Sequence, residues 1–265
     1  MTDQQHSASA RVALITGASS GIGRATAFQL AKQGVRLGLL GRTEDELQDT
    51  QAQLADQGAE SIILLADISH PDELQSAINR LDEAMGRIDI VFANAGINGT
   101  WAGLDELSPE EWDQTLNINL KGTFMTVKYA LPALKRRGGA VVVTSSVNGT
   151  RVFSKTGATA YACSKAGQVA FVKMTAPELA RDGIRINVIC PGAIDTDIME
   201  NTDQEDSANQ LRLPIEYPQG KIPLTGQEPG TSAQVAELVC FLASPAASHI
   251  TGTEVWIDGG QSLLS

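Results

Sequence analysis

Runs of apolar residues, many of them rich in Val, Ile and Leu, recur along the chain between segments in which apolar positions follow a helical spacing. Seven of these runs predict strands: Val12–Thr16, Arg36–Gly41, Ile62–Ala66, Ile90–Ala93, Ala140–Ser145, Ile184–Cys190 and Glu254–Asp258. The alternation of strand and helix predicts an α/β fold with a doubly wound parallel sheet of about seven strands. Because apolar residues occupy consecutive positions in the strands, we expect helices on both faces of the sheet. Ligands should then bind at the carboxyl ends of the strands.

One helical run begins with a tyrosine and a lysine four residues apart, Tyr161 and Lys165. Positions i and i+4 share a face of a helix, so the Lys165 ammonium can lie beside the Tyr161 phenol and favour its phenolate, an acid/base group. Tyr217 and Lys221 have the same spacing, but a proline and a glycine lie between them and make a regular helix there unlikely to form. The sequence therefore predicts proton chemistry on a carbonyl or an alcohol at Tyr161.

Composition restricts the setting in which this chemistry takes place. A chain of 265 residues is long enough for one large α/β domain, which we assign to residues 11–265 after a flexible N-terminal tail at 1–10. No apolar stretch reaches the roughly 18 residues that span a bilayer, and the first ten residues lack the core of a signal peptide, which predicts a cytoplasmic protein. A net charge of −11 disfavours nucleic acid and anionic membranes as partners.

Cysteine and histidine positions give no indication of a metal site. The three cysteines are odd in number and widely spaced, which favours reduced structural thiols. His6, His70 and His249 lie away from every motif. We therefore predict no metal.

The segment from about residue 197 to 232 differs from the rest of the chain. It is acidic at its start and then carries several prolines and glycines, which oppose regular structure. A substrate lid and a solvated connection are both open interpretations, because long loops are either functional or simply mobile.

A glycine-rich turn joins the first predicted strand to the first predicted helix. Gly17, Gly21 and Gly23 permit positive φ angles and a close approach of the backbone, while the helix directs unpaired N–H groups towards a phosphate. A tight turn without a ligand would need the same glycines, but a strand before it and a helix after it favour a dinucleotide.

These motifs, in this order, resemble the short-chain dehydrogenase/reductase family. The match runs from Arg11 to Leu264 and comprises TGASSGIG at 16–23, Asp67, Asn94-Ala95-Gly96, Asn119 in NLKG, Ser145-Ser146, Tyr161 with Lys165, Pro191-Gly192 and Asp258-Gly259-Gly260. The resemblance implies a Rossmann-type fold, a nicotinamide cofactor and an oxidoreductase activity. Ala93 departs from the family, which often has a first Asn there.

The resemblance also implies which residues contact the cofactor. It implies that Ile22 lies against the phosphates, Asp67 and Ile68 at the adenine, and Asn94, Ala95 and Gly96 beside a ribose. Ile194 and Thr196 would contact the nicotinamide. The full set of candidate cofactor residues is Gly17, Ser19, Ser20, Gly21, Ile22, Gly23, Arg42, Asp67, Ile68, Asn94, Ala95, Gly96, Tyr161, Lys165, Pro191, Gly192, Ile194 and Thr196.

The end of the second strand governs the choice between NADP(H) and NAD(H). A carboxylate there would bind the adenosine ribose and repel a 2′-phosphate, but the position is Gly41 and is followed by Arg42. A planar guanidinium suits a phosphate, so we predict a preference for NADP(H). Ser20 stands where many NADP-preferring relatives have a second basic residue. An ion pair of Arg42 with Glu44 or Asp45 is the alternative interpretation, so NAD(H) use stays open.

The resemblance implies four catalytic residues. Tyr161 would pass a proton to or from the substrate oxygen, and Lys165 would lower the tyrosine pKa and hold the nicotinamide ribose. Ser146 would bind the substrate oxygen, with Ser145 as its competitor, an oxyanion-type role. Asn119, expected within a helix beginning near Pro109, would hold a water that relays protons to Lys165.

Substrate-binding residues are expected in loops, whose residues the family motifs do not identify. Our candidates are Asn98, Trp101, Val147, Asn148, Phe153, Ala193 and Tyr217. Their mixture of amides and aromatics favours a modest, partly polar carbonyl or alcohol. The alternatives are a reductase of 3-oxoacyl thioesters on a carrier protein or CoA, and a catalytically idle dinucleotide-binding regulatory module. The resemblance further implies a homotetramer formed through the two long helices and the last strand.

Overall fold

A seven-stranded parallel sheet forms the centre of the molecule, as the apolar pattern predicts. The computed structural model describes residues 10–196, 202–205, 208 and 220–264. The central strands are β1 Val12–Thr16, β2 Arg36–Gly41, β3 Ser61–Leu65, β4 Ile90–Ala93, β6 Gly139–Thr144, β7 Ile184–Pro191 and β11 Glu254–Ile257. They pair in the order β11-β7-β6-β4-β1-β2-β3, and each begins and ends within one residue of its predicted bounds.

Helices cover both faces of this sheet. They are α1 Gly21–Ala31, α2 Glu44–Asp56, α3 Pro71–Met85, α4 Pro109–Leu116, α5 Gly122–Leu134, α6 Thr159–Ala180 and α7 Ser232–Ala243. Successive strand residues face opposite layers: Leu14 packs with α3, α5 and α6, whereas Ile15 packs with α1, α2 and α7. The consecutive apolar residues of β1, β2, β4, β6 and β7 are therefore mostly buried, and the Rossmann-type α/β fold is confirmed.

The strand order reverses direction beside β1. The chain runs from β1 to β2 and β3 on one side, then crosses back to β4 and continues to β6 on the other side. In doubly wound sheets, such a reversal leaves a crevice outside the carboxyl ends of the strands, where ligands bind. The glycine-rich turn leaves β1 at this crevice.

The long helix expected after Pro109 is not continuous. A π-helical segment, Asn117–Lys121, separates α4 from α5, so Asn119 lies in the irregular turn rather than in a regular α-helix. Single π-helical turns are rare and occur often at functional sites. Sequence spacing alone did not reveal this insertion.

The 197–232 segment contains more regular structure than its prolines and glycines suggest. Strand β9, Thr202–Gln204, pairs with β5, Gly99–Trp101, and β10, Gly230–Thr231, pairs with β8, Ile194–Asp195. The described part of the segment therefore contains short strands despite its prolines and glycines. Tyr217 and half of the segment lie outside the described residues, as do residues 1–9, and closure as a lid stays a prediction.

Searches for membrane and metal features cover the described residues alone. None of those helices is both long and apolar enough to cross a membrane. The same part of the chain holds no group of three His, Cys, Asp or Glu side chains placed to bind a metal. Cys190 and Cys240 are buried thiols, and Cys163 is exposed on α6.

Candidate active site

The glycine-rich turn packs so closely that side chains would not fit at two of its positions. A Cβ atom at Gly23 would lie 1.9 Å from the carbonyl oxygen of Gly17, and Gly17 itself has φ +67°. Ser20 precedes α1 without making a capping hydrogen bond, and the first turn of α1 has no acidic residue. The helix end therefore keeps a positive potential that fits a pyrophosphate.

Asn94 joins three neighbouring strands at the crevice. Its backbone N–H donates to the Thr16 hydroxyl at 2.9 Å, and its amide donates to the Thr16 carbonyl at 3.3 Å. Its side-chain oxygen accepts from the Thr144 hydroxyl at 3.1 Å. The residue thus holds β1, β4 and β6 together, and Ala95 and Gly96 follow it at the carboxyl end of β4.

Arg42 and Asp67 meet at the other end of the crevice. Arg42 Nη1 lies 3.5 Å from Asp67 Oδ2, so the arginine pairs with this carboxylate rather than with Glu44 or Asp45. Asp67 also accepts hydrogen bonds from the backbone N–H and hydroxyl of Ser69; burial acts to raise its pKa, but these bonds and Arg42 lower it overall. Exposed ion pairs of this kind contribute little energy, so Arg42 can exchange its partner for a phosphate.

Of the residues expected near the nicotinamide, Thr196 lies beside the glycine-rich turn, and Ile194 lies at β8. The Thr196 side chain would contact a Cβ placed on Gly21 at 3.3 Å, and Ile194 packs against Gly230. Pro191 is buried at the end of β7, where its carbonyl accepts from the Val147 N–H at 3.0 Å. Gly192 is required by its neighbours, because a Cβ there would lie 2.6 Å from the Cβ of Asp258.

Tyr161 and Lys165 lie in the first turns of α6 and are both buried. The Ser146 hydroxyl lies near enough to the Tyr161 phenol to act on its pKa. Lys165 Nζ lies 5.4 Å from the centre of the Tyr161 ring and donates to the Thr144 carbonyl at 2.9 Å. The structure therefore brings three of the candidate catalytic residues together.

Ser145 and Ser146 have different hydrogen-bond partners in the structure. Ser145 donates to the backbone carbonyl of Lys165 at 2.8 Å, which fixes α6 against the sheet. Ser146 instead faces Tyr161 and accepts from the Asn148 N–H at 3.1 Å. The geometry favours Ser146 as the residue that contacts a substrate oxygen.

Electrostatics in this cluster differ from the expectation that Lys165 lowers the pKa of Tyr161. Burial raises the pKa of Tyr161 above its ordinary value, and the hydrogen bond from Ser146 opposes that rise only in part. Burial also lowers the pKa of Lys165 to about 8, a fall that the neighbouring Cys190 thiol partly opposes. The protein by itself therefore holds Tyr161 as a neutral phenol, a proton donor.

Asn119 is fully buried, and its side chain bonds to the chain after β4. Its Oδ1 accepts from the Ile97 N–H at 2.8 Å, while its Nδ2 donates to the Ile97 carbonyl at 2.9 Å and to the Ser164 hydroxyl at 3.0 Å. Its backbone carbonyl accepts from Thr123 Oγ1 and from Gln168 Nε2. Both lone pairs of that carbonyl are occupied, so a relay water would have to use Oδ1.

The substrate candidates divide into two groups by exposure. Asn98, Trp101 and Val147 are buried, and the Asn98 amide donates to the Thr202 hydroxyl at 2.6 Å. Phe153 and Ala193 are exposed, and Asn148 is half-buried beside Ser146. Trp101 belongs to the same small apolar cluster as Tyr161.

Three supporting residues were missed by sequence reasoning. Thr144 binds both Asn94 and Lys165, Ser164 links Asn119 to the Tyr161 carbonyl, and Gln168 binds the Asn119 carbonyl. The available signal was a polar residue inside an apolar run, which needs a partner when it is buried.

Known proteins resemble this chain over almost its whole length. A family model described as "Enoyl-(Acyl carrier protein) reductase" matches residues 17–262. The "Levodione reductase" of Leifsonia aquatica is 37% identical over 257 residues, which cover 95% of this chain and 94% of that protein. A structure titled as a 3-ketoacyl-ACP reductase from Sinorhizobium meliloti 1021 has a TM-score of 0.91 at 49% identity and covers 96% of this chain and 100% of its own. A short chain dehydrogenase from Burkholderia cenocepacia J2315, in complex with NADP, has a TM-score of 0.82 at 32% identity, covering 95% and 97%.

Proposed function

Because this chain belongs to the short-chain dehydrogenase/reductase family of oxidoreductases, we propose that it is an NADP(H)-dependent enzyme that interconverts a carbonyl and a secondary alcohol. The observation that carries the proposal is the buried Tyr161 phenol near the Ser146 hydroxyl, with Lys165 one helical turn away. When bound, the nicotinamide supplies or accepts the hydride.

Each residue of the cluster has a distinct part in the proposed reaction. Tyr161 gives its proton to the carbonyl oxygen during reduction, and its raised pKa keeps that proton on the phenol before the substrate binds. Ser146 donates a hydrogen bond to the same oxygen as negative charge develops on it. Lys165, with a pKa lowered by burial to about 8, is still mostly cationic at neutral pH and stabilises the phenolate that forms.

The cofactor end of the proposal depends on the glycine-rich turn and on Arg42. The N-terminus of α1 holds the pyrophosphate. The other candidate cofactor residues, from Asp67 to Thr196, contact the rest of the dinucleotide. Arg42 binds the 2′-phosphate, for which it exchanges its exposed ion pair with Asp67. A similar structure contains NADP, which supports the preference without excluding NAD(H).

A second candidate function is the reduction of 3-oxoacyl thioesters. It is supported by the 49% identity to a structure titled as a 3-ketoacyl-ACP reductase. The chain's net charge of −11 argues against docking of an acidic carrier protein and leaves smaller thioesters as the better substrates.

Exposed apolar side chains support the proposal of a homotetramer. Phe124 on α5 packs edge-on against Phe171 on α6, and Met174 on α6 is 77% exposed. Phe241 on α7 and Leu263 after β11 form a second exposed set. A monomeric mass by sedimentation equilibrium would contradict this arrangement, and the cytoplasmic location remains a prediction for cell fractionation to test.

The proposal is tested by the oxidation of NADPH and NADH with a panel of ketones, aldehydes, keto sugars and 3-oxoacyl thioesters. The control is Tyr161→Phe, which removes one hydroxyl and leaves the ring in place. We expect wild-type turnover, faster with NADPH, and retained NADPH binding but little turnover in the variant. Turnover unchanged in Tyr161→Phe would contradict the role of Tyr161, and cofactor binding without turnover of any compound would favour the idle regulatory module.

A further inference from the structure

Trp101, the last residue of β5, has an unused hydrogen-bond donor close to Tyr161. The residue is 4% exposed, and its indole Nε1 is buried without an acceptor among the described residues. Buried donors are paired in the great majority of protein structures, because an unpaired one loses its bonds to water and gains nothing. A phenylalanine would fill an apolar wall without this disadvantage.

The position of the indole connects it with the proposed reaction. Trp101 packs in one cluster with Tyr161, Ala158 at the start of α6, and Ala208 from the 197–232 segment. The wall that contains the proposed proton donor therefore also contains the unpaired indole.

The backbone around Trp101 is held on two sides. Its carbonyl accepts from the Glu205 N–H at 2.9 Å, and the N–H of Ala102 donates to the Gly157 carbonyl at 3.2 Å. Strand β5 is in addition paired with β9. The ring is thus kept in place before a substrate arrives, which lowers the entropic cost of a bond to it.

Charge around the ring favours an oxygen as the partner. The Lys155 ammonium lies 4.1 Å from the centre of the Trp101 ring, a cation–π arrangement. The ring also has a hydrogen-bond donor at its edge, the indole N–H, which favours an acceptor atom that carries negative charge. Oxygen atoms of a carbonyl or a carboxylate have this property.

We propose that the Trp101 indole N–H binds a second oxygen of the substrate, so that the preferred substrates are carbonyl compounds with another carbonyl or a carboxylate a few bonds away. This inference rests on the proposed function, since Tyr161 must mark the reacting oxygen. It narrows the substrate class from ketones in general to dicarbonyl compounds and keto acids.

The test compares matched substrates in wild type, Trp101→Phe and Trp112→Phe. Suitable sets are cyclohexanone with its diones, and 2-pentanone with acetoacetate and its ethyl ester. Trp101→Phe removes the N–H and keeps an aromatic ring, and Trp112→Phe is the matched control on α4. We expect wild type to have a higher kcat/KM for the compounds with a second oxygen than for the matched simple ketones. In Trp101→Phe the ratio of these two kcat/KM values should fall roughly 5- to 30-fold, as expected for one lost hydrogen bond.

The ratio within one variant separates recognition from folding. A general loss of folded protein lowers kcat/KM for both members of a pair and leaves their ratio unchanged. A ratio equal in Trp101→Phe and Trp112→Phe, or no wild-type preference for the second oxygen, would overturn the inference. The compound whose kcat/KM falls most in Trp101→Phe shows whether the oxygen that binds the indole belongs to a carboxylate or to a neutral carbonyl.

Binding measured without turnover distinguishes this inference from the proposed function. Calorimetric titration of the same compounds into protein with NADP⁺ should show a Trp101-dependent preference for the second oxygen, also in the Tyr161→Phe background. If that preference exists but no compound is turned over, the proposed reaction fails and the Trp101 site stands. Turnover that depends on Tyr161, together with equal binding or no binding of both members of each pair, would contradict the Trp101 site. The proposed reaction would then still hold.

Discussion

The two ends of the crevice are built differently, although both lie at the carboxyl edge of one sheet. At the chemical end, Asn119, Ser146, Tyr161 and Lys165 are between 0% and 8% exposed, and the side chains of Asn119, Ser146 and Lys165 are each held by a hydrogen bond to a backbone group. At the adenosine end, the Arg42 side chain is 63% exposed and is held by one ion pair of 3.5 Å.

This difference follows from what each end has to do. Proton transfer needs fixed atoms, because small displacements of reacting groups are costly to the rate. Selection between phosphate and hydroxyl needs only a charge of the right sign within reach. Substitutions at the chemical end should therefore remove activity, whereas substitutions at the adenosine end should change the choice of cofactor.

The largest effect is expected from Lys165→Met. The substitution removes the cation beside Tyr161 and keeps a side chain of similar length, so we expect kcat to fall about 100- to 10,000-fold, the range of acid–base catalysis. The control is Lys173→Met on the same helix, where the lysine pairs with Glu254 at the surface. Steady-state kinetics with equal losses in both variants would contradict the difference between the two ends.

A smaller but still large effect is expected from Ser146→Ala. Loss of one donor to a developing oxyanion typically lowers kcat about 100- to 1,000-fold. Ser145→Ala is the matched control, because its hydroxyl bonds to the Lys165 carbonyl and contributes about 1 kcal/mol of stability instead. If Ser145→Ala lowers kcat more than Ser146→Ala, the assignment of the two serines is reversed.

At the adenosine end, Arg42→Ala should change the cofactor preference. Loss of a charge-assisted hydrogen bond to the 2′-phosphate should lower kcat/KM for NADPH roughly 10- to 100-fold and leave that for NADH nearly unchanged. Added salt should reduce the wild-type preference for NADPH, since the arginine is exposed. Arg136→Ala, at an ion pair with Asp82 on the surface, provides the control; an equal loss with both cofactors would remove Arg42 from the 2′-phosphate site.

The smallest effect is a change in the stability of Lys165→Met. This substitution should lower kcat but raise the free energy of unfolding. The pKa of Lys165 is lowered from 10.5 to about 8 by burial, so below pH 8 the folded protein holds a buried cation at a cost in stability. Between about pH 8 and 10.5 the unfolded chain binds the proton more tightly, and this contribution to stability rises with pH. Lys165→Met should therefore be more stable than wild type at pH 7, by of the order of 2 kcal/mol, with the difference shrinking towards pH 10.5. Urea unfolding across this range measures it, and a destabilised variant at pH 7 would contradict the argument.

The sequence by itself determined the fold and the membership of the site. Runs of consecutive apolar residues are produced only by strands covered on both faces, so all seven strands were placed within one residue. The glycine-rich turn was recognisable because Gly17 and Gly23 meet at a distance that no side chain permits. Both signals are local, and a linear pattern can carry them.

Only the tertiary structure decided which hydrogen bonds and ion pairs the side chains of the candidate site form. The bond from Gln168 to the Asn119 carbonyl and the pairing of Arg42 with Asp67 join residues distant in sequence. The π-helical turn at Asn119 is local but leaves no mark in the apolar pattern. The pKa of Tyr161 was predicted in the wrong direction, because the spacing to Lys165 is visible in the sequence and the burial that outweighs it is not. Periodicity records which residues are buried, but desolvation and hydrogen-bond partners depend on the other elements that pack around them.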